Sequence, residues 1–162
     1  MSALRVRPGI AEDLETLVEF NRAMALETEE RELERQRLRA GVLAVLAPEA
    51  PGEAGARGFY RVAERDGKAL GSLLVTREWS DWRDGWFWWI QSVYVRPESR
   101  RQGIYRALYA ALAAEARENG EVCGLRLYVE RENAGAQAVY ERLGMRRSAY
   151  RLYEVDLVQG GS

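Results

Sequence analysis

One segment most constrains what this chain can fold into. In it, an apolar strand runs into a glycine-containing, arginine-rich turn and then into a helix. The segment reads Val93-Tyr94-Val95-Arg96-Pro97-Glu98-Ser99-Arg100-Arg101-Gln102-Gly103-Ile104-Tyr105. The start of a helix has unpaired backbone N–H groups and a partial positive charge, so it attracts anions. Gly103 allows a ligand to approach the backbone closely, and the arginines add positive charge. The pattern predicts a site for a phosphate or pyrophosphate group.

The strand before this turn is apolar on both alternating faces over residues 86–95. Such a run predicts a central strand that is covered on both sides. Gln91 and Ser92 are polar interruptions in it. Because buried polar groups need partners, these two either contact a substrate or are satisfied by a bulge or by neighbouring backbone. Both interpretations stay open at this stage.

Composition narrows the class of protein. The 162 residues suffice for one domain with a core, and 24 basic against 25 acidic side chains argue against general nucleic-acid binding. No apolar run approaches the roughly 20 residues that span a bilayer, so no membrane association is expected. The first seven residues lack the apolar core of a signal peptide, and we expect a cytoplasmic protein.

The chain has one cysteine, Cys123, and no histidine. A single cysteine excludes an internal disulfide and a thiolate metal cluster. The absence of histidine removes the Ser-His-Asp and Cys-His arrangements and imidazole-bound zinc, so no metal is expected. Any general base must be a carboxylate, a tyrosine, a lysine, an amino terminus or water.

Periodicity along the chain predicts the order β-α-α-β-β-β-α-β-α-β, an α/β fold with a mixed sheet flanked by helices. Residues 1–158 form one domain in this interpretation, and 159–162 form a frayed tail. Loops are predicted over 47–58 and 77–85 from their glycine, proline and polar content. Strands are predicted over 4–7, 59–64, 69–76, 86–95, 122–129 and 146–157, and helices over 11–26, 31–46, 101–117 and 133–143.

The last predicted helix carries a second group of polar and small residues. Asn133, Ala136 and Tyr140 are spaced by three and four, which puts them on one helical face. An amide and a phenol therefore point in the same direction, and the small residue between them leaves room for a ligand.

At this point the chain resembles a family. Arg100-Arg101-Gln102-Gly103-Ile104-Tyr105 resembles the Arg/Gln-x-x-Gly-x-Gly/Ala signature of the GCN5-related N-acetyltransferases (GNAT). Asn133-Ala134-Gly135-Ala136-Gln137-Ala138-Val139-Tyr140-Glu141-Arg142-Leu143-Gly144-Met145 is similar to that family's second block. The order of the blocks and of the elements matches along nearly the whole chain. The resemblance implies a splayed central sheet, binding of acetyl-CoA and transfer of the acetyl group to an amine.

The resemblance also implies roles for the cofactor-binding residues. The backbone of the strand Val93-Tyr94-Val95 would bind the pantetheine arm. Asn133 would bind the CoA arm or cap its helix, with Ala136 beside it, and Tyr140 would protonate the departing CoA thiolate. The pyrophosphate would be cradled, mostly by backbone N–H groups, at Arg100, Arg101, Gln102, Gly103, Ile104, Tyr105 and Arg106.

Tyr105 departs from the family pattern. It stands where the family usually has Gly or Ala. A large side chain at this position either crowds the pyrophosphate or points away from it, since only the backbone N–H needs to face the phosphate. The structure is expected to decide between these two outcomes.

The acceptor site and the base are less defined. Some relatives carry a glutamate on the central strand about where Gln91 stands; Gln91 cannot be a base, but it could position a water or the substrate. Acidic and aromatic side chains elsewhere suit a cationic amine through charge and cation–π contact. The residues assigned to the acceptor are Glu27, Glu30, Trp79, Asp81 and Trp82.

Several functions remain to be compared. The resemblance outside the two blocks is closest to the branch that acetylates polyamines and lysine-like amino acids, so a small primary amine is the expected acceptor. The alternatives are a protein N-terminus or lysine, and a CoA-binding regulatory module with weak catalysis. We also expect a homodimer, because of the predicted final strand and the aromatic content.

Overall fold

The computed structural model describes residues 2–47 and 56–158. The chain divides into two compact units, Met1–Tyr128 and Val129–Ser162. Most of the predicted loop at 47–58 and the predicted tail at 159–162 lie outside the described residues. The first unit contains the sheet and three helices, and the second unit contains the fourth helix.

One mixed sheet organises the first unit. Its strands follow the chain order β1-β2-β3-β4-β5, and neighbours pair antiparallel except β4 and β5, which are parallel. A parallel pair needs a crossover connection, which a helix supplies here. The predicted α/β fold class is therefore confirmed. The strands are β1 (Arg5–Pro8), β2 (Phe59–Arg65), β3 (Lys68–Ser80), β4 (Gly85–Val95) and β5 (Val122–Leu127).

Three helices cover the two faces of this sheet. Helices α1 (Leu14–Glu29) and α2 (Arg35–Leu46) pack on one face, and α3 (Ile104–Glu118), the crossover helix, packs on the other. The predicted apolar stripe of α3 is buried, because Ile104, Leu108 and Leu112 are at most 1% exposed. Among the residues that the structure describes, no helix is both long and apolar enough to cross a membrane.

Strand β4 is covered on both sides, as its two apolar faces predicted. Trp88 and Ile90 belong to the core cluster under α3, whereas Tyr94 belongs to the cluster under α1 and α2. Phe20 of α1 lies 5.0 Å from the Tyr94 ring, measured between ring centroids. β4 is therefore the strand on which both halves of the core meet.

The boundary between α1 and α2 differs from the prediction and has a local cause. Glu30 adopts a left-handed conformation with φ of 52° and ends α1. The carboxylate of Glu34 accepts hydrogen bonds from the amides of Gln36 and Arg37 at 2.8 and 2.7 Å, so it caps α2. The second helix consequently begins at Arg35 rather than at residue 31.

The predicted loop at 77–85 is wrong, because most of it is strand. β3 continues to Ser80 and pairs residue by residue with the start of β4, including Trp79 opposite Trp86. The rings of these two tryptophans meet edge to face at 5.0 Å. Arg77 and Glu78, two of the polar residues that suggested a loop, are exposed although they lie within the strand. Cross-strand aromatic packing stabilises the hairpin.

The predicted final strand at 146–157 is also wrong. Within the second unit, the structure gives α4 (Ala134–Arg142) and then no regular element up to residue 158. A strand requires hydrogen bonds to a neighbouring strand, and alternation of side chains alone does not supply them. The apolar side chains that suggested the strand are exposed; they include Tyr150, Leu152, Tyr153, Val155 and Leu157.

A cluster of charged side chains ties the first residues of the chain to the sheet. The guanidinium of Arg7 donates to Asp13 at 2.7 and 2.9 Å and to Glu64 at 2.6 Å. Burial alone raises the pKa of Asp13, but hydrogen bonds from Arg7 and the Ile10 amide outweigh it, and the pKa lies below its usual value. The hydrogen bond from Arg7 likewise lowers the pKa of Glu64.

This cluster predicts loss of stability in acid. A carboxylate whose pKa is lowered by folding stabilises the fold fully above its ordinary pKa, and this contribution disappears as pH falls through the lowered value. Asp13→Asn should lower the free energy of unfolding at pH 7 by about 3 kcal/mol, because the side chain is only 9% exposed and removing one partner of a buried pair is costly. Urea unfolding at pH 7 and pH 4 measures both effects.

The matched control is Glu19→Gln, which breaks an exposed ion pair with Arg35. Its effect should stay within about 0.5 kcal/mol. If the two variants lose equal stability at pH 7, or if Asp13→Asn keeps the full acid dependence of the wild type, the cluster does not have this role.

Candidate functional site

A bulge interrupts β4 at Ser92 and Val93. These two consecutive residues lie opposite the single residue Leu73 of β3. Ser92 has φ of 48°, in the left-handed region that a serine rarely adopts. The polar interruption at Ser92 is therefore a bulge, which is one of the two interpretations that its sequence left open.

Beyond the bulge, β4 has an edge that β5 does not cover. The amide of Arg96 donates to the Leu70 carbonyl of β3 at 2.8 Å, so strand alternation turns the amides of Val93 and Val95 away from β3. β5 pairs with β4 only as far as Ile90. We call the Val93 and Val95 side of β4 the open edge.

The structure corrects the expectation for the backbone of Tyr94. This residue pairs with Ser72, and the same alternation turns its backbone toward β3 instead of toward the open edge. Its backbone therefore is not available to a ligand that lies along the open edge. Its side chain is buried at 8% exposure and packs under α1.

The turn after β4 presents backbone amides. A short 3₁₀ helix over Pro97–Ser99 leads to Arg101 and Gly103, which have φ of 62° and 77°. The first hydrogen bond of α3 joins the Ala107 amide to the Gly103 carbonyl at 2.9 Å, so the amides of 104–106 precede the intrahelical bonds. A Cβ added at Gly103 would meet no atom within 4 Å. The result is an open, amide-lined cradle at a helix start.

Side chains of the turn maintain its shape. The Gln102 amide group donates to the Glu98 carbonyl at 2.9 Å, and its oxygen accepts from Arg65 at 3.4 Å. Arg101 and Arg106 are exposed and add positive charge. The cradle is therefore built from backbone that side chains brace, in a locally positive field.

Arg100 joins the end of α1 to the end of β4. Its Nε donates to the Val95 carbonyl at 3.0 Å, and its Nη2 donates to Glu27 at 2.6 Å. Burial raises the pKa of the neighbouring Tyr94 phenol, and the negative charge of Glu27 raises it further. This group of side chains places Glu27, an expected acceptor residue, beside the open edge.

The ring of Tyr105 packs along α3. Its centroid lies 6.4 Å from the ring of Tyr109, one helical turn further along. The side chain is half-buried in this position. The effect of Tyr105 on a bound pyrophosphate stays a prediction.

Gln91 is held by a neighbouring strand. Its Nε2 donates to the Thr76 hydroxyl at 2.6 Å, and the side chain is half-buried. The amide nitrogen of Gln91 therefore has a partner within the protein, as one of the two interpretations of this polar residue expected. The amide oxygen Oε1 remains as an acceptor for an N–H group.

The structure does not bring the five predicted acceptor residues together. Glu27 and Glu30 lie at the end of α1, near the turn, whereas Trp79, Asp81 and Trp82 lie at the β3–β4 hairpin. β4 separates the two groups by its length of 11 residues, which is about 35 Å. A single small amine cannot contact both groups, so the predicted set does not form one pocket.

The second unit carries the other predicted cofactor residues. The Asn133 side chain accepts from the Ala136 amide at 3.0 Å and caps α4, as one of its two expected roles required. Tyr140 lies one turn beyond Ala136 and is half-buried. Their roles toward CoA stay predictions.

An aromatic pair that the sequence reasoning missed lies where β4 and β5 separate. The rings of Trp89 and Tyr128 stack at 4.4 Å with an interplanar angle of 26°. The sequence did contain one sign of this pair: side chains alternate along a strand, so Trp89 lies on the same face as the polar Gln91. In the described part of the chain, no three His, Cys, Asp or Glu side chains form a group that could hold a metal ion.

A bulged central strand, an open amide edge and an amide-lined helix start give this α/β fold backbone donors suited to an extended, phosphate-containing ligand. The family model for the acetyltransferase (GNAT) family matches residues 15–145. The chain therefore belongs to the GNAT family and is an acetyl-CoA-dependent acyltransferase.

Solved structures agree with this family. A possible acetyltransferase from Clostridium difficile 630 is 39% identical, with 98% of this chain and 100% of that chain covered and a TM-score of 0.87. A predicted acetyltransferase with acetyl-CoA from Clostridium acetobutylicum shares the fold at 18% identity, covering 96% and 97% of the two chains, with a TM-score of 0.72. A GCN5-related N-acetyltransferase from Ralstonia eutropha JMP134 matches at 23% identity, 94% and 99% coverage and a TM-score of 0.72. A search of curated proteins finds no match.

Gly103→Ala tests the cradle. The positive φ of Gly103 strains any other residue, so the substitution should cost about 1–2 kcal/mol of stability. Because the added methyl projects into the space where a phosphate would approach, acetyl-CoA affinity should fall at least about tenfold, a loss of about 1.4 kcal/mol. Isothermal titration calorimetry with acetyl-CoA measures the affinity.

Gly67→Ala is the matched control. Gly67 has φ of 73° and likewise no atom within 4 Å of an added Cβ, but it lies in the β2–β3 turn. It should lose similar stability and keep acetyl-CoA affinity. Equal affinity losses in the two variants would contradict the cradle.

Proposed function

We propose that this acetyltransferase moves the acetyl group of acetyl-CoA to the primary amine of a small molecule by direct attack. The observation that carries the proposal is the open edge of β4, which ends at the amide-lined cradle of Gly103. An extended ligand with amides along its length and a pyrophosphate at one end matches these donors in order. Acetyl-CoA has that layout, so the residues fit the co-substrate.

The backbone amides of Val93 and Val95 would donate to the carbonyl oxygens of the pantetheine arm. The amides of the turn and of the first helical turn would bind the pyrophosphate, and Arg101 and Arg106 would contribute positive charge. This assignment is supported by the φ values of Arg101 and Gly103, which direct consecutive amides to one side. Asn133 and Ala136 complete the proposed set, on the strength of their match to the second family block.

Transfer requires that the amine nitrogen bond to the acetyl carbon while the carbon–sulfur bond breaks. Tyr140 is proposed to donate its proton to the departing thiolate. A free phenol titrates near 10 and a cysteine-like thiol near 8.5, so this donation is mildly uphill and needs help from the surrounding site. The proton is returned to Tyr140 from solvent.

The amine must lose a proton before attack, because amines with a pKa near 10 are mostly protonated at neutral pH. Gln91 cannot accept this proton. It is proposed to orient the amine or a water through Oε1, with its amide nitrogen held by Thr76. Water is the proposed proton acceptor, since Glu27 is engaged by Arg100.

The acidic end of α1 supports a cationic amine as the acceptor, and the choice of a small amine over a protein N-terminus or lysine is based on the resemblance to the small-amine branch. Glu27, Glu29 and Glu30 are exposed there, and Glu27 reaches the open edge through Arg100. Negative charge near the site raises the local concentration of a cationic amine. A CoA-binding module without catalysis is the outcome that the assay below would reveal.

Assembly and location belong to the same proposal. We propose a homodimer of single-domain subunits spanning 1–158, supported by the exposed apolar side chains of 150–157, which are typical of an association surface. The cytoplasmic location stays a prediction. Light scattering coupled to gel filtration should give twice the 18.4 kDa mass of the chain, and a monomeric mass would contradict the dimer.

Thiol release from acetyl-CoA across a panel of amines tests the function. The wild type should turn over at least one small amine, and Tyr140→Phe should lower kcat by about 10²- to 10⁴-fold, because it removes a general acid. Acetyl-CoA at 100 times its Kd should still stabilise the variant by about 2.7 kcal/mol in thermal unfolding.

Tyr153→Phe is the matched control, since Tyr153 is 88% exposed and the substitution keeps the apolar ring of the proposed dimer surface. It should retain wild-type kcat. Tight binding of acetyl-CoA without turnover of any amine would identify a binding module, and turnover of a peptide amine alone would identify a protein acetyltransferase.

A further inference from the structure

Five side chains share one face of the sheet where β4 and β5 separate. Trp89 lies directly opposite Thr76 of β3 and Arg126 of β5, and directly opposite residues point to the same face. A period of two adds Gln91 and Tyr128 to this face. The contacts agree: Gln91 bonds Thr76, and Trp89 stacks on Tyr128.

This face is the one that carries α1 and α2. Leu74, which pairs with Gln91, belongs to the core cluster beneath these helices. Glu27, at the end of α1, reaches the open edge on the same side of the strand through Arg100. The aromatic pair therefore lies next to the part of β4 at which the acetyl group would be presented.

Trp89 and Tyr128, which we call the platform, present a ring to solvent. Tyr128 is 57% exposed although its ring stacks on Trp89 at 4.4 Å. Exposed aromatic rings with one polar end are typical of surfaces that bind ligands. A flat apolar group can add a further layer to this stack.

The charges beside the platform are already balanced. Arg126 lies 3.5 Å from the Phe87 ring centroid and 5.9 Å from that of Trp89, and it donates to Glu78 at 2.6 Å. A second cation would meet Arg126 next to the Trp89 ring, and Glu78 is engaged. The platform therefore suits an aromatic ring better than the distal ammonium of a polyamine.

We infer that the acceptor is a primary amine carrying an aromatic ring, which stacks on Tyr128 while its nitrogen reaches Gln91 Oε1. Gln91 and Trp89 are two residues apart on one face, about 7 Å along the strand, so the aromatic stack and Gln91 Oε1 lie on the same side of the sheet. This inference rests on the proposed small-amine acetyltransferase activity and narrows its substrate class. It replaces Trp79 and Trp82 with Trp89 and Tyr128 as the aromatic acceptor residues.

Binding to the CoA-loaded protein tests the inference without turnover, because CoA carries no acetyl group to transfer. Phenethylamine should bind at least about tenfold tighter than 1,4-diaminobutane. Tyr128→Ala should weaken phenethylamine binding about five- to tenfold, the effect of one aromatic contact, and leave CoA affinity unchanged. Tyr128→Phe keeps the ring and should match the wild type.

Trp82→Ala is the control for a general aromatic effect. Trp82 is 91% exposed and lies in the β3–β4 hairpin turn, before β4 begins, whereas Trp89 lies four residues into β4, about 13 Å along the strand. Trp82→Ala should change neither the affinity for phenethylamine nor the affinity for 1,4-diaminobutane. Equal affinity for the two amines in the wild type, or an equal effect of Tyr128→Ala on both, would overturn the platform.

Assays with acetyl-CoA separate this inference from the function on which it rests. If phenethylamine binds through Tyr128 and no amine of the panel is acetylated, the small-amine function fails and the platform stands as a ligand site. If both amines are acetylated with equal kcat/KM and Tyr128→Ala changes neither value, the function stands and the platform is wrong.

Discussion

The early end of the β4–β5 pairing is the constraint on which the rest of the site depends. Parallel strands ordinarily satisfy each other's backbone groups along their whole length. Here the ladder stops at Ile90, and the bulge at Ser92–Val93 bends the longer strand just beyond that point. Because backbone donors at such an edge need partners, the geometry leaves amides that suit an extended ligand with acceptor groups along its length.

The bulge also decides which side chains meet which layer. Before it, Trp88 and Ile90 face α3; after it, Val93 and Val95 face α3 as well, although an unbroken alternation would put them on the opposite side. One additional residue therefore lets a single strand keep its core contacts while Gln91 faces the other layer. The polar site and the apolar core occupy the same strand without competing.

Much of this arrangement could be predicted from sequence, and the failures have physical causes. The turn at Gly103 was recognisable because glycine, arginines and a helix start coincide, and the stripe of α3 followed from its period. The hairpin at Ser80–Gly85 was missed because polar side chains on an exposed strand have the composition of a loop. The prediction of a final strand was wrong because it was based only on the alternation of apolar and polar side chains around Tyr153 and Val155. A strand also needs a neighbouring strand with which to form hydrogen bonds. The proposed acceptor residues were the hardest to predict from sequence, because Trp89 and Tyr128 meet only through strand pairing between distant parts of the chain.

The amide cradle at the start of α3 has a consequence for how this chain can vary. The cradle is lined by main-chain amides, and the buried side chains of Ile104, Leu108 and Leu112 hold the same helix against the core. The cradle therefore tolerates many side chains at the surrounding positions as long as Gly103 keeps its backbone conformation and the helix stays docked. Tyr105 occupies such a surrounding position, and with it in place α3 still begins at Ile104 and its first hydrogen bond still joins Ala107 to Gly103.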